Sequence, residues 1–315
     1  MGFWAHPQGT WLRRALFQVH LWAGVAIGLY IVLISVTGSA VVFRRDLLFA
    51  KLGNVPAADA TANKRMTEPE LRAAVSQKYP GWDIKKVMMA GRRLTPAEVT
   101  LTLGDDTIEE RFNPYTGADM GEMHPLSVTV MEWLVDLHDN LLKGDTGRRI
   151  NAVGGGLLAL LCLTGVVIWW RGKSTWAQGF FFNPWHGWKR INFDLHSAMG
   201  FWSLAILLLW GVTGIYFAFP DPFIAVVDYF EPPQLSNGAR KGDEFIAWLV
   251  RMHFGRYGGM GVRITYVIIG LLPAVMFVTG AIMWWNRVLR RWVEQTRSAR
   301  SGVPFPAQPT AEPVE

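Results

Sequence analysis

Apolar residues gather in four blocks along the chain, at about 21–43, 150–170, 198–219 and 264–285. Each lies near the roughly 20 residues that cross about 30 Å of hydrocarbon. Tryptophan and tyrosine crowd the block ends, at Trp11, Trp22, Trp169, Trp170, Trp188, Trp202, Tyr216, Trp284 and Trp285, the depth at which amphipathic rings meet headgroups. The pattern predicts four transmembrane helices. It is also repeated. Residues 17–43 and 193–219 match without a gap at Phe, His, Gly, Val, Thr, Gly and Phe, with His20 on His196 and Gly24 on Gly200, and a Thr-Gly pair follows each histidine by 17 residues (20 to 37, 196 to 213). Residues 133–170 and 248–285 match more closely, sharing Trp-Leu-Val-x-x-His, Arg148/Arg263, Gly155/Gly270, Thr164-Gly165/Thr279-Gly280 and a closing Trp-Trp. Two copies of a two-span unit follow from this, each span carrying one histidine near its start.

The polar stretches between blocks predict the rest. Residues 44–129 form the one sizeable soluble insert. Within it, 67–78 opens with a Thr-x-x-Glu capping box and reads as a helix. Residues 83–89, 98–103 and 107–112 alternate as strands, with a turn at Asp105-Asp106. Helical approaches lead into the second and fourth spans, residues 171–192 read as a basic, aromatic loop on the membrane, 220–241 as a Pro-rich loop, and the Pro-rich end 303–315 as disordered. The first block runs on to Phe43-Arg44-Arg45 with no small-residue cleavage site, which favours a retained span over a cleaved leader.

Half of the 315 residues are hydrophobic and the formal net charge is +6. Lysine and arginine cluster beside the spans, where they meet lipid phosphate, so the positive charge marks no nucleic-acid site. A slight charge bias assigns 1–19, 171–195 and 286–315, and with them both termini, to the cytoplasm, although Arg44, Arg45, Arg148, Arg149 and Arg263 abut the opposite face. The single cysteine, Cys162, excludes disulfides within the chain, and no Cys-x-x-Cys-His occurs, so any haem is held without covalent attachment.

Seven histidines occur, and His20, His138, His196 and His253 occupy matched repeat positions. Spans one and three run in the same direction, so His20 and His196 share one membrane face and His138 and His253 the other. Two facing imidazoles in a helical bundle supply both axial positions of one haem, and four supply two haem b groups. Gly24 and Gly200, one turn beyond their histidines, leave room for a porphyrin. Arg148 and Arg263 suit haem propionates through charge-assisted hydrogen bonds, or lipid phosphate equally well. Zinc is the poorer match, because two histidine pairs a membrane apart cannot share an ion. An ion pathway would place carboxylates within the spans, and the apolar blocks hold none. A difficulty attaches to the outer pair: His138 precedes the apolar run at Ile150 by 12 residues, and glycines at 144, 147, 255, 258, 259 and 261 argue that these segments fold back rather than continue as helix. His6, His124 and His186 have no repeat counterpart and read as surface residues.

The stretches VTLTLGDDTIEERFNPYTGADMG, LHDNLLKGDTGRRINAVGG, FDLHSAMGFWSLA and MHFGRYGGMGVR resemble the bacterial PepSY-associated transmembrane proteins, over about residues 15–290. The resemblance implies an inner-membrane location, a periplasmic PepSY-like α+β domain, cytoplasmic termini and b-type haems on His20, His138, His196 and His253. It also brings ferric-siderophore reductases into view. The expected fold is therefore an all-α bundle of four transmembrane helices, in two repeated two-span units, with a small α+β PepSY-like domain inserted between spans one and two. Its expected segments are a tail at 1–19, spans at 20–43, 130–170 (with its approach helix), 193–219 and 253–285, the periplasmic domain at 44–129, a cytoplasmic loop at 171–192, a periplasmic loop and approach helix at 220–252, and a tail at 286–315. The expected activity is that of an oxidoreductase: electrons from a quinol or a reductase enter at the cytoplasmic haem, and a ferric siderophore or other ferric chelate is reduced at the periplasmic one. The rival readings are a membrane-anchored PepSY binding or regulatory module without redox activity, and an iron-chelate transporter.

Overall fold

The computed structural model describes residues 9–172, 175–232 and 240–301. The expectation for 303–315 lies outside these residues, as does His6. Two compact units emerge, one formed by residues 1–42 with 136–315 and the other by residues 43–135.

The chain begins with α1, Trp11–Ala26, and α2, Gly28–Val41, which meet at a 63° bend around Ile27. A continuous helix was the expectation for 20–43. The bend falls where the Phe277 ring occupies the space that a Cβ on Gly28 would need, and glycine is a common cause of sharp kinks. Leu204 stands at the matching position of the second copy, where the helix continues.

The unit at 43–135 contains α3 (Arg44–Leu52), α4 (Ala57–Ala62), α5 (Glu68–Lys78) and four strands, β1 (Asp83–Met89), β2 (Ala97–Leu103), β3 (Asp106–Phe112) and β4 (Asp119–Glu122). The strands form an antiparallel sheet in sequential order. The capping box of α5 is present, with the Thr67 backbone N–H donating to the Glu70 carboxylate at 2.6 Å. Leu71 and Val75 of α5 pack on Ala97, Val99, Leu101 and Phe112, all buried. Alternate residues of β2 face this core, as its alternating pattern requires. The hairpin turn is Gly104-Asp105 rather than Asp105-Asp106: Leu103 pairs with Asp106, and Gly104 supplies the φ of +61° that the tight turn needs. The helices α3 and α4 and the short β4 went unread in the sequence, being too short for a clear period.

The remaining helices are α6 (Leu126–Asn140), α7 (Gly144–Trp169), α8 (Trp188–Ala218), α9 (Asp221–Phe230), α10 (Lys241–His253), α11 (Met260–Trp284) and α12 (Arg290–Ser301). Among the described residues three helical runs, starting at Gly144, Trp188 and Met260, are long and apolar enough to cross a membrane, and the bent α1–α2 pair makes a fourth if it counts as one span. This is a multi-pass helical membrane protein with a small antiparallel sheet. The segment after residue 220 is helical rather than a loop, since Pro222 falls in the first turn of α9, where proline is tolerated. Small residues set the helix packing. A Cβ on Gly155 of α7 would come 2.7 Å from the Gly211 carbonyl oxygen of α8. On the other side, Ser35 of α2 donates to the Gly270 carbonyl of α11, and Ser39 donates to Val267 at 3.2 Å.

Candidate functional site

Two histidines face each other between α1 and α8. The ring centres of His20 and His196 are 6.5 Å apart and their planes are nearly perpendicular, at 87°. Both line a cavity of about 1220 Å³, together with Gly24 and Gly200. A Cβ on Gly24 would have only Leu161 within 4 Å, at 3.9 Å, and one on Gly200 would meet the flexible end of Met276 at 3.3 Å. Five arginines also line this cavity: Arg13, Arg14, Arg171, Arg190 and Arg287. They come from the three segments assigned to one membrane face by their charge.

Asp194, in the second turn of α8, is buried and holds two of these cations, Arg190 at 2.8 Å and Arg171 at 3.3 Å. Arg13 donates to the Ile168 carbonyl at 2.8 Å, while its Nε is buried with no partner among the described residues. The cavity is therefore lined mainly by apolar side chains with five arginines among them, a lining that suits an amphipathic anion. Sequence reasoning missed Asp194 by starting the apolar run at 198, and it missed the arginine cluster because its members are far apart in the chain.

The second pair is built from the approach helices. After α6 ends at Asn140, Leu141, Leu142 and Gly144 adopt positive φ values of 51°, 59° and 55°, and the chain reverses before α7. The fold-back expected from the glycines is present, and it brings His138 against α2, with Nδ1 at 3.1 Å from the Ile34 carbonyl. Asn151 of α7 ties the end of α6 by donating to the carbonyls of His138 and Asp139 at 2.6 and 3.0 Å. Tyr266, its repeat mate on α11, ties α10 by donating to the Met252 carbonyl at 2.6 Å. Trp210 donates to the His253 carbonyl at 3.2 Å. The imidazoles of His138 and His253 lie near each other.

Every one of the four imidazoles has its Nδ1 on a threonine hydroxyl. His20 meets Thr164 at 3.0 Å, His138 meets Thr37 at 3.2 Å, His196 meets Thr279 at 2.8 Å and His253 meets Thr213 at 2.6 Å. These are the threonines of the four Thr-Gly pairs, visible in the sequence as repeat markers but not as histidine partners.

Arg148 donates to Asp139 at 2.7 Å and so is already paired with a carboxylate, and Arg263 lies in the first turn of α11. His124, in the unit at 43–135, is half-exposed, 3.2 Å from Glu109 and 3.7 Å from Glu132, and His186 is exposed. Among the described residues no three His, Cys, Asp or Glu side chains gather as metal ligands. Structural zinc takes four such ligands, whereas a haem takes two axial ones. Metal–imidazole bonds of about 2 Å place the centres of two rings on one metal roughly 6–6.5 Å apart, and the His20–His196 spacing falls there. The residues at this site fit a haem.

The profile of the PepSY-associated TM region matches residues 17–242 and 230–287. An uncharacterized protein of Pseudomonas aeruginosa is 37% identical over 87 residues, which is 27% of this chain and 21% of that relative's length.

Proposed function

The chain belongs to the PepSY-associated transmembrane family, and from that membership and the facing histidines we propose that it is a di-haem b electron-transfer protein of the bacterial inner membrane. The observation that carries the reading is the His20–His196 pair, 6.5 Å apart in a cavity whose lining includes five arginines. His20 and His196 hold the cytoplasmic-side haem, and His138 and His253 the periplasmic-side haem. Bound haem supplies one-electron transfer. The chain's own residues bind and orient. Gly24 and Gly200 leave the porphyrin its room, Arg13, with its buried unpaired Nε, neutralises a propionate, and the apolar walls exclude water. Four spans then cross the membrane, both termini lie in the cytoplasm and residues 44–129 in the periplasm. Electrons arrive from a quinol or reductase, and a ferric siderophore or other ferric chelate is the acceptor, since the lower charge of reduced iron weakens its bonds to hard oxygen ligands.

The test is the visible spectrum of the purified protein, oxidised and dithionite-reduced, with a pyridine haemochrome count for wild type, His20→Ala and His138→Ala. Two b haems per chain, falling to about one in each variant, are expected. A colourless protein after expression with ample haem refutes the proposal and favours the anchored binding module.

A further inference from the structure

The four Thr-Gly pairs share a geometry that repeat arithmetic alone does not explain. In each, the threonine hydroxyl reaches back to its own helix: Thr37 to Leu33, Thr164 to Leu160 and Thr213 to Leu209, all at 2.7 Å, and Thr279 to Met276 at 3.0 Å. A hydroxyl has one proton and two lone pairs. A backbone carbonyl only accepts, so the threonine proton is committed to it. What the hydroxyl then offers the imidazole is a lone pair, and the histidine must supply the proton from Nδ1. In all four rings Nε2 is left with its lone pair free, the form in which imidazole ligates a metal.

The glycine that follows Thr37 makes space for the ring edge, and the other three differ from it. A Cβ would lie 2.7 Å from His138 Cε1 at Gly38, 3.5 Å from His20 Cε1 at Gly165, and 3.4 Å from His196 Cε1 at Gly280, while at Gly214 it would meet nothing within 4 Å.

We propose that the four Thr-Gly pairs are histidine seats, in which Thr37, Thr164, Thr213 and Thr279 act as positioning residues that fix the Nδ1–H tautomer and so present Nε2 to the haem iron and tune its potential. The idea rests on the di-haem reading. An Nδ1–H that donates to an oxygen makes the imidazole a stronger electron donor, which favours ferric iron. Loss of the acceptor therefore raises the midpoint potential. Ordinary outer-shell changes of this kind cost about 10–100-fold in metal affinity or activity.

The experiment is a potentiometric titration of the whole purified protein, with haem count and low-temperature EPR, for Thr164→Val and Thr213→Val and for the matching serine variants. The expected result is that Thr164→Val raises the potential of one haem only, by about 59 mV for each tenfold loss of ferric preference, and shifts its EPR signal. Thr213→Val should do the same to the other haem, and serine should restore both. Unchanged potentials and spectra in valine variants that keep two haems overturn the seat while leaving the di-haem reading intact. If a valine variant sheds its haem, retention in the serine variant supports the hydroxyl's role, and equal loss in both assigns the effect to the methyl group and overturns the seat. A colourless wild type refutes both proposals together.

Discussion

The repeat supplies an internal control for the outer histidine pair, because Gly38 and Gly214 are matched positions with unlike surroundings. A methyl group on Gly38 would sit 2.7 Å from His138 Cε1, whereas one on Gly214 would have nothing within 4 Å. Carbon atoms rest at about 3.5–4.0 Å from one another, so Gly38→Ala forces the His138 ring to move by roughly 1 Å. The ring has little freedom to yield, held at Nδ1 by Thr37 and the Ile34 carbonyl, with the end of its helix tied by Asn151. Overpacking of this kind costs about 1–3 kcal/mol, or about 5- to 150-fold in affinity. Gly38→Ala should therefore release one of two haems faster by that factor, and Gly214→Ala should retain both. The assay is transfer of haem from the purified protein to excess apomyoglobin, followed in the Soret band. Gly165→Ala and Gly280→Ala, at 3.5 and 3.4 Å from their imidazoles, make ordinary contacts and should behave as wild type. Equal release from Gly38→Ala and Gly214→Ala, or none from Gly38→Ala, would sink the argument that the ring edge of His138 sets this site.

Two further outcomes follow from the packing. Gly155→Ala should destabilise the bundle by about 1–3 kcal/mol, since its Cβ meets the backbone of Gly211, which cannot swing aside; Gly156→Ala, whose nearest neighbour would be 3.9 Å away, serves as control, and thermal unfolding in detergent reads both. In the unit at 43–135, burial together with Asp119 and Glu122 raises the Glu110 carboxyl above its ordinary pKa. A raised folded value contributes stability that is present below about pH 4 and lost as pH rises through it. Glu110→Gln should accordingly slow hydrogen exchange in β2 and β3 at about pH 7 and gain nothing below about pH 4, and faster exchange at neutral pH would count against it.

What was legible in the sequence was periodic or local. The apolar blocks, the capping box at Thr67 and the alternation of β2 each need only a window of neighbours. What was hidden depends on residues distant in the chain. Gly28 reads as any packing glycine until Phe277 is found against it, so the bend at Ile27 could not be read. Arg148 and Arg263 stand out in the sequence because they repeat, whereas the arginines that line the His20–His196 cavity come from three separate segments and carry no such mark. The repeat revealed that the Thr-Gly pairs matter. Only the fold shows that each meets a histidine on another helix.

The pairing of seats and histidines explains why the duplication is useful. Thr164 holds His20 and Thr37 holds His138, all within the first copy, while Thr279 holds His196 and Thr213 holds His253 within the second. Each copy therefore positions its own two imidazoles without help from the other. His20 faces His196 and His138 neighbours His253, so each pair takes one histidine from each copy. On the proposed reading a haem held by such a pair would bridge the copies, adding to the close approach of Gly155 and Gly211 that already joins them. A single two-span unit holds half of each site, and it would complete both sites only by pairing with another. The copies nevertheless differ, at Gly28 against Leu204 and Gly38 against Gly214: the first has a bent span and a tightly seated histidine, and the second has a continuous helix and an open position beside its threonine.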